Sequence, residues 1–123
     1  MEKIRLLLVD DEEELVYPMA ERLEIRGFKV KVATKWNEAL KYFDKKRYNV
    51  AIIDIKLPGM NGFDLMKMFF KLQPDLKVIL ISGHASEEDK SKALELGASA
   101  LIVKPVKMNH LIETIKDILG IEE

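Results

Sequence analysis

The chain has 123 residues, enough for one compact domain over 1–123 and too few for two. Apolar residues make up 48% and charged residues 33%, with only six Gly and four Pro, which excludes a disordered or fibrous chain. Twenty basic against 21 acidic residues give a net charge of -1, so bulk charge offers no footprint for nucleic acid or an anionic membrane, and the lack of Cys excludes disulfides and thiolate chemistry and fits a reducing, cytoplasmic setting.

The first strand candidate, Ile4 to Val9, holds the apolar stretch Leu6 to Val9 with Ile4 behind it and ends in Asp10-Asp11, too short a run for a signal peptide or a membrane span. It opens an alternation of short apolar runs with longer amphipathic ones, the pattern of βα units on a parallel sheet. The remaining strand candidates are Phe28 to Val32, Val50 to Ile53, Val78 to Ile81 and Ala100 to Val103. Val16, Ala20 and Leu23 mark the first helix; Pro18 lies inside this pattern, where a lost donor and a ring clash cost ~3 kcal/mol, so a kink or a late start is expected. Lys29-Val30-Lys31-Val32 alternates, which predicts one polar face and an edge strand. Thr34 is expected to cap the helix marked by Trp36, Ala39, Leu40 and Phe43. The third helix, marked by Leu65, Phe69 and Leu72, is unusually apolar. Phe63 and Phe70 cannot both point inward with Phe69, so one of them is expected at an interface. Ser86 is expected to cap the fourth helix. Leu111, Ile112, Ile115 and Leu119 mark the fifth, with His110 on its exposed side. Gly27, Gly97 and Gly120 stand where left-handed helix ends belong. The chain ends three residues after Gly120, so it is expected to carry no output module of its own.

In an open parallel sheet, ligands bind at the carboxyl ends of the strands. There the sequence places Asp10-Asp11, Asp54, Ser82-Gly83 and Lys104-Pro105. Singly, each reads as a cap or a turn. Together, three carboxylates at about 5 Å repel by roughly 3 kcal/mol per pair at an effective dielectric of 20 and require a cation. The candidate ligands are all oxygens, from Asp11, Asp54, the main-chain carbonyl of Lys56 and water, with Asp10 also serving the metal; such a set favours Mg²⁺ or Mn²⁺. Lys104 as a fixed cation and Ser82 as a hydroxyl donor complete the parts that stabilise a phosphoryl group in transfer, with Asp54 as the nucleophile. Glu12 to Glu14 read as surface charges that suit a helix start, and Glu12 stands where it can border the metal pocket.

The segments Leu7-Leu8-Val9-Asp10-Asp11-Glu12, Asp54-Ile55-Lys56-Leu57-Pro58-Gly59-Met60-Asn61-Gly62, Ser82-Gly83-His84 and Val103-Lys104-Pro105 resemble the receiver domain of two-component response regulators, the family of the bacterial chemotaxis response regulator. The resemblance covers the whole chain. It implies a flavodoxin-like (βα)₅ fold, strand order 2-1-3-4-5 with helices on both faces, and a phosphoryl group passed to Asp54 by a histidine kinase or phosphotransfer protein. It further implies direct Mg²⁺ ligation by Asp11, Asp54 and the Lys56 carbonyl, Asp10 acting through water, and a cis Lys104-Pro105 bond. Phosphorylation is expected to signal through the face of the fourth helix, fifth strand and fifth helix to a downstream protein target, or to an output domain in a longer chain, as a monomer or a weak phosphorylation-dependent dimer. Leu101 stands where the family commonly has Tyr or Phe, whose ring changes rotamer in the switch. Lys56 and His84 are placed by the resemblance beside the path of the hydrolytic water.

Two other classes compete with a switch that has no turnover of an external substrate. A receiver-like scaffold that takes no phosphate would have no need to hold three carboxylates together, although Leu101 favours it. An enzyme is disfavoured: Asp10 to Glu14 would repel a flavin phosphate, and the Asp-x-Asp pattern of haloacid-dehalogenase-like hydrolases is missing from the first strand.

Overall fold

The computed structural model describes residues 3–121. Its main sheet is built from β1 (Arg5–Val9), β2 (Lys29–Ala33), β3 (Val50–Asp54), β6 (Lys77–Ser82) and β7 (Ala100–Val103), all parallel, in the order β2-β1-β3-β6-β7. This is the expected 2-1-3-4-5 order. The numbers shift because a short antiparallel hairpin, β4 (Lys56–Leu57) and β5 (Met60–Asn61), follows β3. Pro58-Gly59 makes its turn, with Gly59 at φ 80°, a conformation that favours glycine. The helices are α1 (Glu13–Ile25), α2 (Trp36–Lys45), α3 (Gly62–Leu72), α4 (Glu87–Glu95) and α5 (Met108–Leu119).

A strand covered on both faces must be apolar at consecutive positions, and every residue of β3 is buried, Asp54 included. One face carries Leu7, Val9, Ala51, Ile53, Val78 and Leu80 against Phe43, Phe63, Met66 and Phe69 of α2 and α3. The opposite face carries Leu6, Leu8, Ile52, Ile79 and Ile81 against Val16 and Leu23 of α1 and Leu111 and Ile115 of α5. β2 is the edge strand that its alternation predicts, with Lys29 and Lys31 exposed. Among the described residues no helix is long and apolar enough to cross a membrane.

One local expectation is corrected, at Thr34, and two are narrowed. α1 starts at Glu13 and runs through Pro18, so there is no late start; the donor lost at Pro18 faces the exposed first turn at Glu14, where water can replace it. The N-cap of α2 is Lys35 and not Thr34, whose N–H and hydroxyl both lie 3.4 Å from Glu38 Oε1. Phe63 and Phe69 are both buried; Phe70 is the half-buried ring, and it packs at Gly97. Ser86 caps α4 as expected, accepting from Asp89 N–H at 3.0 Å, and Asn61 caps α3, accepting from Phe63 N–H at 2.7 Å. Gly27, Gly97 and Gly120 have positive φ, and His110 is exposed.

Candidate functional site

The parallel register sets the ends of β1, β3, β6 and β7 side by side: Val9 pairs with Ile53, Asp54 with Ile81, and Ser82 with Val103. One residue beyond Val9 stands Asp10, and one beyond Val103 stands Lys104. Chain positions up to 94 residues apart are thereby brought to one rim.

Lys104 is the hub. Its Nζ lies 2.8 Å from Asp54 Oδ2 and 3.3 Å from Asp10 Oδ2, and it also bonds Glu12 Oε1. The remaining carboxylate oxygens are held by the backbone: Asp54 Oδ1 accepts from Lys56 N–H at 3.0 Å, and Asp10 Oδ1 accepts from Glu12 N–H at 2.9 Å. Carboxylate oxygens of Asp10, Glu12 and Asp54 all lie within 4.8 Å of one another. Burial pushes the Asp10 carboxyl above its ordinary pKa and the Asp54 charge adds to this, against the Glu12 N–H and Lys104. Burial alone would lower the Lys104 pKa; its bonds to Asp54 and Glu12 outweigh that and raise it well above the ordinary lysine value.

Gly62 gives Asp54 its place from behind. A Cβ on Gly62 would sit 2.5 Å from the Asp54 carbonyl oxygen and 2.7 Å from Ile55 Cα, so only glycine lets α3 start against the end of β3. Gly62 N–H donates to the Ile55 carbonyl at 2.7 Å, which closes the loop that carries Lys56.

The structure thus unites Asp10, Asp54 and Lys104, and brings in Glu12, which the sequence reads first as a surface charge at the helix start and second as a neighbour of the metal pocket. Asp11 is exposed and outside the carboxylate cluster; it lines a separate open hollow with Glu12 to Leu15. Ser82 is buried at the same rim and its carbonyl accepts from Lys104 N–H at 2.8 Å, but its hydroxyl donates to the His84 carbonyl at 2.6 Å and accepts from His84 N–H at 3.2 Å, and among the described residues no bond joins that hydroxyl to the side chain of Asp54 or Lys104. Lys56 and His84 have exposed side chains. Lys104-Pro105 is cis. Leu101 is half-buried against the core beneath α2 and α3.

The family model of the response regulator receiver domain matches residues 6–116. The chain belongs to that family. The receiver domain is 37% identical over 114 residues to the sensory transduction protein RegX3 of Mycobacterium tuberculosis, a match that takes 93% of this chain and 50% of the relative. It spans about half the length of the curated relatives it matches first. A CheY-like receiver domain from Methanospirillum hungatei superposes with a TM-score of 0.92 at 37% identity, covering 97% of this chain and 95% of the other. A response regulator of Burkholderia pseudomallei, solved with a phosphorylated aspartic acid, a calcium ion and citrate, gives a TM-score of 0.86 at 25% identity over 96% of this receiver and 72% of that chain. The domain is therefore a signalling module of two-component systems, and its acidic bowl fits the place of a phosphoacceptor.

Proposed function

We propose that this receiver takes a phosphoryl group on Asp54 from a histidine kinase or phosphotransfer protein and passes the change to a partner protein or output domain. The observation that carries the reading is the Lys104 ammonium, fixed 2.8 Å from Asp54 Oδ2 at the end of the central strand. The Asp54 carboxylate attacks phosphorus, the P–N bond of a phosphohistidine already protonated on its other ring nitrogen breaks, and the electron pair goes to the imidazole, which departs neutral. Lys104 then balances charge that grows on the phosphoryl oxygens, and Ser82 supplies a hydroxyl once it leaves the His84 carbonyl.

The donor set suits a divalent ion. Three carboxylates against one ammonium leave two uncompensated negative charges, and every donor is oxygen. Asp10, Asp11, Asp54 and the Lys56 carbonyl are the proposed ligands of Mg²⁺, with Glu12 at the border. A bound Mg²⁺ supplies charge neutralisation to the phosphoryl oxygens. The Burkholderia relative with a phosphorylated aspartic acid and a cation supports this reading.

Intact-mass spectrometry after incubation with acetyl phosphate and Mg²⁺ tests it. One added phosphoryl group is expected on the wild type and none on Asp54→Asn. A wild type that stays unmodified, or an Asp54→Asn protein that is labelled equally, refutes the assignment.

A further inference from the structure

A second charged region lies at the opposite pole, at the amino ends of the strands. There a hollow of about 280 Å³ opens between β2, the start of β1 and the last turn of α2. Its cationic lining is Arg5, Lys29, Lys31, Lys45 and Lys46, and its rings are Tyr42 and Tyr48. Among the described residues no carboxylate lines it, and none of the five cations forms an ion pair with one. The register explains the convergence. Arg5 pairs with Lys29 and Leu7 with Lys31, so all three cations stand on the sheet face that α2 covers only further along, at Leu7, Val9 and Ala33. The last residues of α2 then bring Lys45 and Lys46 to the same opening.

Lysines on an edge strand discourage pairing with another sheet, which accounts for Lys29 and Lys31. It does not account for Arg5 on an inner strand or for the two lysines of the helix end. Five like charges around one hollow repel unless an anion joins them, the same reasoning that applies to the acidic bowl with the sign reversed. The neighbouring surface continues the field through Lys3, Arg47 and Lys77, where Asp75, the one acid among the described residues there, is taken by Arg47 at 2.9 Å.

We propose that this hollow is a binding site for a di- or triphosphate group, with the half-buried Tyr42 as the surface for an attached base. Clustered phosphates match the number and closeness of the cations. Tyr42 already holds the Lys31 ammonium 4.4 Å from its ring centre, so a ligand that draws Lys31 away would free that ring face for stacking. Tyr48 is buried, which raises its pKa and keeps the phenol neutral beside an anion, although Arg5 opposes this. The site is independent of the phosphoacceptor reading.

Two-dimensional amide NMR of the intact chain, in EDTA at low ionic strength, with inorganic triphosphate and ATP as probes, tests the proposal. Saturable shifts are expected at Arg5, Lys29 to Lys31 and Tyr42 to Tyr48, and the double variant Lys29→Gln/Lys31→Gln should weaken binding about tenfold or more. Lys67→Gln on α3 should leave it unchanged. ATP binding more tightly than triphosphate, with the difference lost in Tyr42→Leu, assigns a nucleotide; equal affinities assign an inorganic polyphosphate. Shifts scattered over surface lysines, an equal loss in Lys67→Gln, or no saturation at millimolar probe overturns the site. So does a single-stranded deoxythymidine oligonucleotide that binds more tightly than either probe and extends the shifts to Arg47 and Lys77. The spectrum of the double variant without ligand reports whether it is folded.

Discussion

Replacing Lys104 by Met removes the one cation among three carboxylates while keeping much of the side-chain volume. The attraction of the ammonium for Asp54 at 2.8 Å is about 6 kcal/mol at an effective dielectric of 20, and desolvation of the ammonium offsets part of it. The Lys104 side chain is 17% exposed and that of Asp54 6%, so solvent screens the pair weakly; Glu12, more than half exposed, is left out of the sum. Breaking a buried pair costs ~3–5 kcal/mol. Asp10, whose pKa burial has already raised, can take up a proton in the variant and limit the damage to ~3 kcal/mol at pH 7. Urea unfolding in EDTA should show this as a midpoint lowered by ~1.5 M for a slope near 2 kcal/mol per M. The pH dependence has a definite sign. A carboxyl with a folded-state pKa above its unfolded value costs stability while ionised, and the cost fades as pH falls through the raised pKa toward ~3.9. Lys104, with a pKa raised above 10.5, contributes fully at every pH below that value as long as its partners are ionised. The gap between the proteins should therefore narrow from pH 7 to pH 4.5, and saturating Mg²⁺ should narrow it at pH 7 by stabilising the variant more than the wild type. A loss under ~1 kcal/mol, the same loss at both pH values, or equal Mg²⁺ stabilisation of the two proteins would refute the reasoning.

Gly62→Ala should destabilise by ~3 kcal/mol or more, since a Cβ 2.5 Å from the Asp54 carbonyl oxygen must push β3 or α3; urea unfolding measures it, and a cost under ~1 kcal/mol means the contact relaxes freely. Gln73→Leu should cost ~1–3 kcal/mol in the same assay, because buried Gln73 donates to the Tyr48 carbonyl at 2.8 Å and nothing replaces it. Asp11→Asn and Glu12→Gln should separate the two acids next to Asp10. Titrating Mg²⁺ against the fluorescence of Trp36, which lies beside Gly59 in the hairpin after Asp54, should show a larger loss of affinity for Asp11→Asn; a larger loss for Glu12→Gln would make Glu12 the ligand.

The alternation of apolar runs with amphipathic segments carried the fold, because a five-stranded sheet covered on both faces needs consecutive apolar residues in its inner strands and one polar face only at an edge. Lys29-Val30-Lys31-Val32 and Val50-Ala51-Ile52-Ile53 differ in that respect, and they occupy the edge and the centre. What was not legible depended on three-dimensional neighbours. Thr34 has the chemistry of a cap, but the backbone enters α2 one residue later, at Lys35. Phe63 and Phe69 lie six positions apart, which helical spacing alone sets on different sides. Both are nevertheless buried, because Phe63 sits at the very start of α3, beside the loop that closes on β3, where Lys92 of α4 covers its ring at 4.8 Å. Net charge was the least informative quantity. A value of -1 conceals an acidic rim at the carboxyl ends of the strands and a basic hollow at their amino ends, since charges that cancel in a sum do not cancel across a domain.

Within the site, the strand-end rule points to Asp10, Asp54 and Lys104 because Asp54 ends β3 and the other two directly follow β1 and β7. Glu12 escaped it because two residues separate it from β1, and its side chain is long enough to turn back over the rim to Lys104. That reach has a consequence for the switch. Lys104 now divides its donors among Asp54, Asp10 and Glu12, so any new negative charge built on Asp54 competes with two carboxylates for the same ammonium. Ser82 is tied in the same way, its proton committed to the His84 carbonyl. A phosphoryl group on Asp54 would therefore have to win Lys104 from Glu12 and the Ser82 hydroxyl from the His84 loop. The bonds it breaks lie at the first residues before α1 and α4, which makes the starts of those two helices the places where the chemistry of the bowl is first felt outside it.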